Sequence, residues 1–221
     1  MASSIRRESQ ETDRLLALTD GVIAIAITLL VLEITVPEIR PGAPTSVLVE
    51  LVFEQRHEFF SYVLSFLVIG YYWVLHRRIF IHVEEHDKRV IGYNLLFLLL
   101  VAFVPYGTNL FSTYPTQFGV MFYAGVLALT GLTLTLLWFH ALRTDILEDG
   151  LTSNIVLLQA ARLLSSPLVF LLSILVAFFS TSLAIFTWFL VVPINAILES
   201  RMVAKFESEQ EDAPPAPSPP V

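Results

Sequence analysis

Cysteine is missing from all 221 residues, which rules out a disulfide framework, a thiolate metal site and a cysteine nucleophile. Charge is scarce as well: 15% of residues are Asp, Glu, Lys or Arg against 55% hydrophobic, and the mean hydropathy is +0.71. A soluble domain of this length has no interior large enough for that much apolar surface, so the chain is an integral membrane protein. Its long apolar stretches approach or exceed the roughly 20 residues that cross a bilayer as a helix, and the short alternating strands of a barrel are lacking. The net charge of −7, drawn partly from Glu207, Glu209, Glu211 and Asp212, argues against nucleic acid as a partner. An enzyme reading finds no convincing nucleophile, metal set or carboxylate pair at one membrane depth.

What is present is a series of six apolar spans, at about 15–34, 59–75, 90–110, 117–142, 155–179 and 181–198. The expected fold class is therefore an all-α integral membrane protein with six transmembrane helices. Only Ser180, Thr181 and Ser182 separate the last two spans, and a tight hairpin is favoured over one bent helix because the combined apolar length is too great for one crossing. The first span is retained rather than cleaved as a signal, since it is long, contains Asp20 and lacks a small-residue cleavage pattern. Residues 1–13 form an N-terminal segment, 14–200 the six-helix domain, and 201–221 an acidic, proline-rich tail expected to be disordered.

Orientation follows from the basic residues. Arg6, Arg7, Arg14, Arg77, Arg78, Lys88, Arg89, Arg143, Arg201 and Lys205 fall on one side, and only Arg40 and Arg56 on the other, which places both termini in the cytoplasm. Arg162 lies within the fifth span, where it either snorkels or pairs inside the bundle; snorkelling is the simpler expectation. On the outer side, Pro37, Pro41 and Pro44 end the first helix, and the mixed stretch 47–58 reads as an interfacial helix capping the mouth.

The first span carries the functional signal. Ile25, Thr28, Leu29 and Leu32 share one arc of a helix roughly 100° wide, as residues lining a narrow pore would. Ile23, Ile27, Leu30 and Ile34 make a second apolar stripe on the opposite side, and periodicity alone does not choose between them. Asp20 lies about 140° from Ile25 and so points at other helices rather than along an ion path. Arg14 is six residues from Asp20, beyond the spacing at which helical side chains meet, so a third group is needed to join them.

Arg14, the run Leu18-Thr19-Asp20 and the segment AIAITLLVLE from Ala24 to Glu33 together resemble the first helix of the transmembrane protein 175 potassium channels, whose usual pattern has Phe-Ser-Asp at the tripeptide. Trp73 and His76 in the second span, then Asn94, Leu95, Leu96 and Pro105 in the third, extend the resemblance over roughly the first half of the chain. It implies a homotetramer of the single-repeat, prokaryotic type in a bacterial cell membrane. The first helices would surround a central pore, with Ile25, Leu29 and Leu32 as successive apolar constrictions forming a hydrophobic gate. Thr28 would contribute to selectivity, and His76 would complete a structural network with Arg14 and Asp20. The permeant ion would be potassium, with no cofactor.

Two further signals carry less. His82 and His86 are four apart, a spacing that can hold zinc, but the run around them is charged and reads as a solvated helix end, so no metal is assigned. Glu33 either gathers cations at the outer mouth or marks the interface. The alternative function is a proton-coupled secondary transporter using Asp20 and His76, but the paired broken helices that such transporters use are not evident.

Overall fold

The computed structural model describes residues 2–83, 87–144, 146–147 and 153–211, with side chains described from residue 13 to residue 205. Helix α1 (Ala2–Leu29) tightens into a 3-10 turn (Leu30–Glu33) and is followed by α2 (Thr45–Glu54), α3 (Arg56–Ile81), α4 (Lys88–Thr113), α5 (Gln117–Thr144), α6 (Ser153–Ala177), α7 (Thr181–Trp188) and α8 (Val191–Glu211). Among the described residues six stretches are long and apolar enough to cross a membrane: Asp13–Glu33, Arg56–Ile81, Lys88–Thr113, Gln117–Thr144, Ser153–Ala177 and Thr181–Lys205. All six fall where the sequence places them.

Helix α5 is the centre of the bundle, with Tyr123, Leu127, Leu134, Leu137 and Trp138 inaccessible between α4 and α6. Its packing against α6 depends on a glycine and a proline. Pro167 has no N–H to give the carbonyl of Leu163 one turn earlier, and in hydrocarbon such an orphan is costly. The Thr135 hydroxyl of α5 is shared between that carbonyl at 3.3 Å and the Gly131 carbonyl of its own helix at 3.1 Å. The approach is close enough that a Cβ at Gly131 would lie 2.8 Å from Pro167 Cγ and 3.1 Å from the Tyr72 hydroxyl. That hydroxyl itself donates to the Leu127 carbonyl at 2.7 Å.

The hairpin between the fifth and sixth spans forms, with Ser180 capping α7 by accepting from Leu183 N–H at 3.3 Å. The sixth span is nevertheless two helices. Pro193 crowds the carbonyl of Phe189, four residues back, and the chain breaks between α7 and α8 at Phe189 and Leu190. Pro193 then occupies the first turn of α8, where its missing N–H breaks no helical bond. Helix α8 runs through Glu211, so the expected boundary at 201 falls inside a helix; residues 212–221 lie outside the described residues. On the other face, α2 buries none of its side chains, as an interfacial helix should, and Gln55 Nε2 donates to the Thr35 carbonyl at 2.5 Å across the proline loop.

The loops at the basic end are tied together. Asp87 caps α4, accepting from Val90 N–H at 2.7 Å and Arg89 N–H at 3.0 Å, while its second oxygen meets His140 Nε2 at 2.8 Å. A single antiparallel bridge joins Val83 to Leu147. Partial desolvation pushes the Asp87 carboxyl up, but the Val90 N–H, then His140 and the Arg89 N–H, pull it further down, so it stays below the usual carboxylate range. Of the charged run around His82 and His86, to which no metal is assigned, Glu84, Glu85 and His86 lie outside the described residues.

Gly131→Ala is expected to push α5 from α6 and lower stability by about 1–3 kcal/mol, read as a fall in the unfolding temperature of the purified protein. Asp87 ionises more readily folded than unfolded, so its stabilisation is fully present above the unfolded carboxylate pKa and is lost as pH falls through the lowered folded value. Asp87→Ala should remove that acid dependence from unfolding curves and cost about 1 kcal/mol at neutral pH through the lost cap.

Candidate functional site

Helix α1 lies at the edge of the bundle, and only one stripe of it faces inward. Thr19, Ile23, Ala26 and Leu30 are buried against α3 and α4, none more than 3% exposed. Roughly 140° around the helix, Ile25 is 60% exposed, Leu29 43% and Leu32 71%, and Thr28 is exposed beside them. The two apolar stripes that periodicity leaves equivalent are thus distinguished by packing: the stripe of Ile23 and Leu30 belongs to the protomer, and the stripe of Ile25, Leu29 and Leu32 belongs to whatever lies outside it. The same open face continues through Gly21 and Leu18.

A buried polar chain fixes this rotation. Thr19 Oγ1 donates to the Leu15 carbonyl at 2.9 Å and accepts from Asn94 Nδ2 of α4 at 3.0 Å. The Asn94 carbonyl oxygen meets His76 Nε2 of α3 at 2.7 Å, which fits an imidazole with its proton on Nε2. His76 is sandwiched between the rings of Phe80 and Phe97, at centroid distances of 4.4 and 5.4 Å. Thr19, His76 and Asn94 are all at most 1% exposed, so the Asn94 amide depends on Thr19 and His76 for its hydrogen bonds, while Thr19 also holds the Leu15 carbonyl.

Asp20 occupies the flank of α1 next to α3 and accepts from the Trp73 indole N–H at 2.7 Å. Arg77 lies over the Trp73 ring, 5.8 Å from its centroid. A cleft of about 260 Å³ lined by Asp20, Ile23, Ala24, Ile27, Gly70 and Trp73 separates the two helices here. Asp20 and His76 therefore hold different partners, and no hydrogen bond joins them among the described residues; Arg14 stands exposed below. At the other end of α1 the 3-10 turn carries Glu33 toward α4, where its carboxylate accepts from Asn109 Nδ2.

Trp73 and Asn94 are the residues whose part the sequence reading did not assign, although both belong to the segment that carries the resemblance. The available signal was an amide in the middle of an apolar span, which hydrocarbon tolerates only with partners. Arg162 departs from the snorkelling expectation: it is 2% exposed and donates from Nη2 to Glu199 at 3.0 Å. The reason is that α8 presents a carboxylate at the same depth.

Residues 14–105, the part of the chain that builds this site, match the family described as the endosomal/lysosomal potassium channel TMEM175. A potassium channel of Streptomyces collinus is 38% identical over 145 residues, covering 63% of this chain and 68% of the relative. A potassium channel of Chamaesiphon minutus is 38% identical over 142 residues, covering 62% and 70%. Among solved structures, a lysosomal potassium-selective channel TMEM175 homolog from Chamaesiphon minutus superposes with a TM-score of 0.72 at 30% identity, over 86% of this chain and 98% of that one.

Asn94→Leu should strand the buried groups of Thr19 and His76 and destabilise the protein by roughly 2–4 kcal/mol, since each orphaned group costs about 1–3 kcal/mol. Trp73→Phe, which removes only the donor to the half-open Asp20, should cost about 1 kcal/mol. Thermal unfolding of both variants in one detergent checks the order; equal losses would mean that the Asn94 chain does not hold the helix.

Proposed function

The chain belongs to the transmembrane protein 175 family of potassium channels and is a potassium-permeable channel of the membrane, not an enzyme, and on that premise we propose how it conducts. Four copies assemble around a common axis with α1 of each innermost. Ile25, Leu29 and Leu32 form successive apolar rings about one helical turn apart, and Thr28 supplies a hydroxyl layer among them. The open aliphatic stripe of α1, set opposite the stripe that anchors the helix in its own protomer, carries this reading.

Branched aliphatic rings offer a cation no ligand, so passage down the electrochemical gradient is governed by pore radius, wetting and the cost of partial dehydration. The Thr28 hydroxyl gives its proton to the Ile25 carbonyl at 2.8 Å. Its oxygen lone pairs are left free to face outward, the polarity a cation requires. Thr28 is therefore the group suited to prefer potassium where the aliphatic rings cannot. Both termini lie on the cytoplasmic side of a bacterial cell membrane, a reading supported by Arg77, Arg78, Lys88, Arg89 and Arg143 at the shared end of α3, α4 and α5. Asp20 and His76 then serve as positioning residues for α1, and the transporter alternative is not favoured.

Purified protein in planar bilayers should give unitary potassium currents. Thr28→Ala should lower the potassium-to-sodium permeability ratio by roughly threefold to tenfold, the equivalent of about 1 kcal/mol per lost ligand interaction. Ile25→Asn should wet its ring and raise open probability or conductance. Unchanged conductance and permeability ratio in both variants would move the ion path to another helix.

A further inference from the structure

Away from α1, the opposite side of the bundle holds a second polar constellation that conduction does not use. Arg162 of α6 and Arg78 of α3 converge on Glu199 of α8, at 3.0 Å and 2.5 Å. Beside them the Tyr71 hydroxyl donates to Asn195 Oδ1 at 2.5 Å, and Asn195 Nδ2 donates to Ser165 Oγ at 2.9 Å and to the Val191 carbonyl at 2.8 Å. Among the described residues, Arg162 Nε and Nη1 are buried in this cluster with no hydrogen-bond partner. Arg162 is nine residues into α6, about 14 Å from its start. Two guanidiniums against one carboxylate also leave the cluster with one uncompensated positive charge.

Arg162 and Arg78 line one end of a cavity of about 530 Å³ between α3, α6 and α8. Its polar end is the Arg78, Arg162 and Glu199 cluster. Apart from Ser166 and Asn195 the rest is aliphatic and aromatic, with Leu64 and Val68 on one wall, Phe170 and Trp188 on another and Val192 at the lip. From Arg78 back to Leu64 the trough follows α3 for about 21 Å, more than the roughly 15 Å of hydrocarbon in one leaflet, so an acyl chain entering at the polar end can run its leaflet's depth within it. Leu67 and Val192 on its rim are 62% and 72% exposed, so the trough opens sideways to the lipid. The break between α7 and α8 lies alongside it, at Phe189.

We propose that this cavity is a binding site for an anionic phospholipid, whose phosphodiester pairs with the Arg78 and Arg162 guanidiniums at its polar end and whose acyl chain fills the trough toward Leu64. One negative charge neutralises the cluster, and a phosphate presents the acceptor oxygens that the guanidinium fork matches. A zwitterionic headgroup brings its own cation into a place already holding two arginines and is disfavoured. The headgroup sits in the leaflet beside the basic loops.

The test is native mass spectrometry of the full-length oligomer in detergent, titrated with phosphatidylglycerol, phosphatidylcholine or inorganic phosphate, with monodispersity on size exclusion as the check of folding. One phosphatidylglycerol per protomer should be retained, roughly tenfold more tightly than phosphatidylcholine, and Arg162→Gln should remove that difference. Because Arg162→Gln leaves Glu199 with one partner fewer and so also tests folding, Val192→Trp supplies the second arm: it fills the lip of the trough without touching the charges and should weaken retention of phosphatidylglycerol about tenfold. Equal retention of both lipids by the wild type overturns the proposal, as does undiminished phosphatidylglycerol binding in either folded variant. Displacement of the lipid by millimolar phosphate would make this an anion site only. Crosslinking of cysteines placed at positions 67 and 192 between protomers would mean that a neighbouring copy covers the trough, and either result also overturns it.

Discussion

The amide of Asn94 gives its nitrogen side to Thr19 and its oxygen side to His76, and by doing so fixes which face of the first helix looks into its own protomer. In a soluble protein the aliphatic stripes of such a helix would compete for burial, and the better-packed one would win. In a bilayer either stripe can face lipid at little cost, so hydrophobicity does not choose a rotation. A three-residue polar chain does, because turning α1 by even a third of a turn would leave Thr19, Asn94 and His76 unsatisfied in hydrocarbon. The open face of Ile25, Thr28, Leu29 and Leu32 is the consequence of that constraint, and the channel reading of the chain rests on the face it leaves open.

Membrane spans were legible in the sequence because the bilayer sets a length and penalises charge, and those two rules suffice to locate six helices and the hairpin at Ser180. The choice of face on α1 was not legible, since Ile23 and Leu30 are as aliphatic as Ile25 and Leu32, and what separates them is contact with helices distant in the chain. The same limit explains Arg162. Alone in its span it reads as a residue reaching for the interface, and only the packing of α6 against α8 brings Glu199 to it. The division of the sixth span was recoverable from Pro193, whose consequence at Phe189 follows from local geometry. The extension of α8 to Glu211 runs against the reading of its acidic composition as tail, because Arg201, Met202, Ala204, Lys205 and the glutamates are also good helix formers.

Two prolines in comparable positions show how the bundle treats a missing hydrogen bond. Pro167 stays within a continuous α6 because Thr135 reaches across from α5 to take the freed carbonyl, and Gly131 lets it come near enough. Pro193 coincides with a break. The difference is one of neighbours: α6 lies against α5 along much of its length, while α7 is a short segment packed chiefly on α6, with only Ala184 and Trp188 buried. A helix inside the bundle can be repaired by a side chain from next door, and one at the rim yields.

The tie at Asn94 has a counterpart at the far end of α1, where Glu33 accepts from Asn109. Thr19 and Glu33 are about 21 Å apart along α1, and Asn94 and Asn109 about 22 Å apart along α4, so two parallel helices are joined at matching heights by hydrogen bonds. A helix held at both ends does not swing independently of the one that holds it. On the proposed conduction path, any widening of the rings at Ile25, Leu29 and Leu32 therefore moves α4, and with it the α5 and α6 core packed behind, as one body about the pore axis. Aliphatic rings suit such a device: their conductance depends steeply on radius through wetting, so a small rigid-body displacement of each protomer suffices where side-chain rearrangement of a polar filter would demand more.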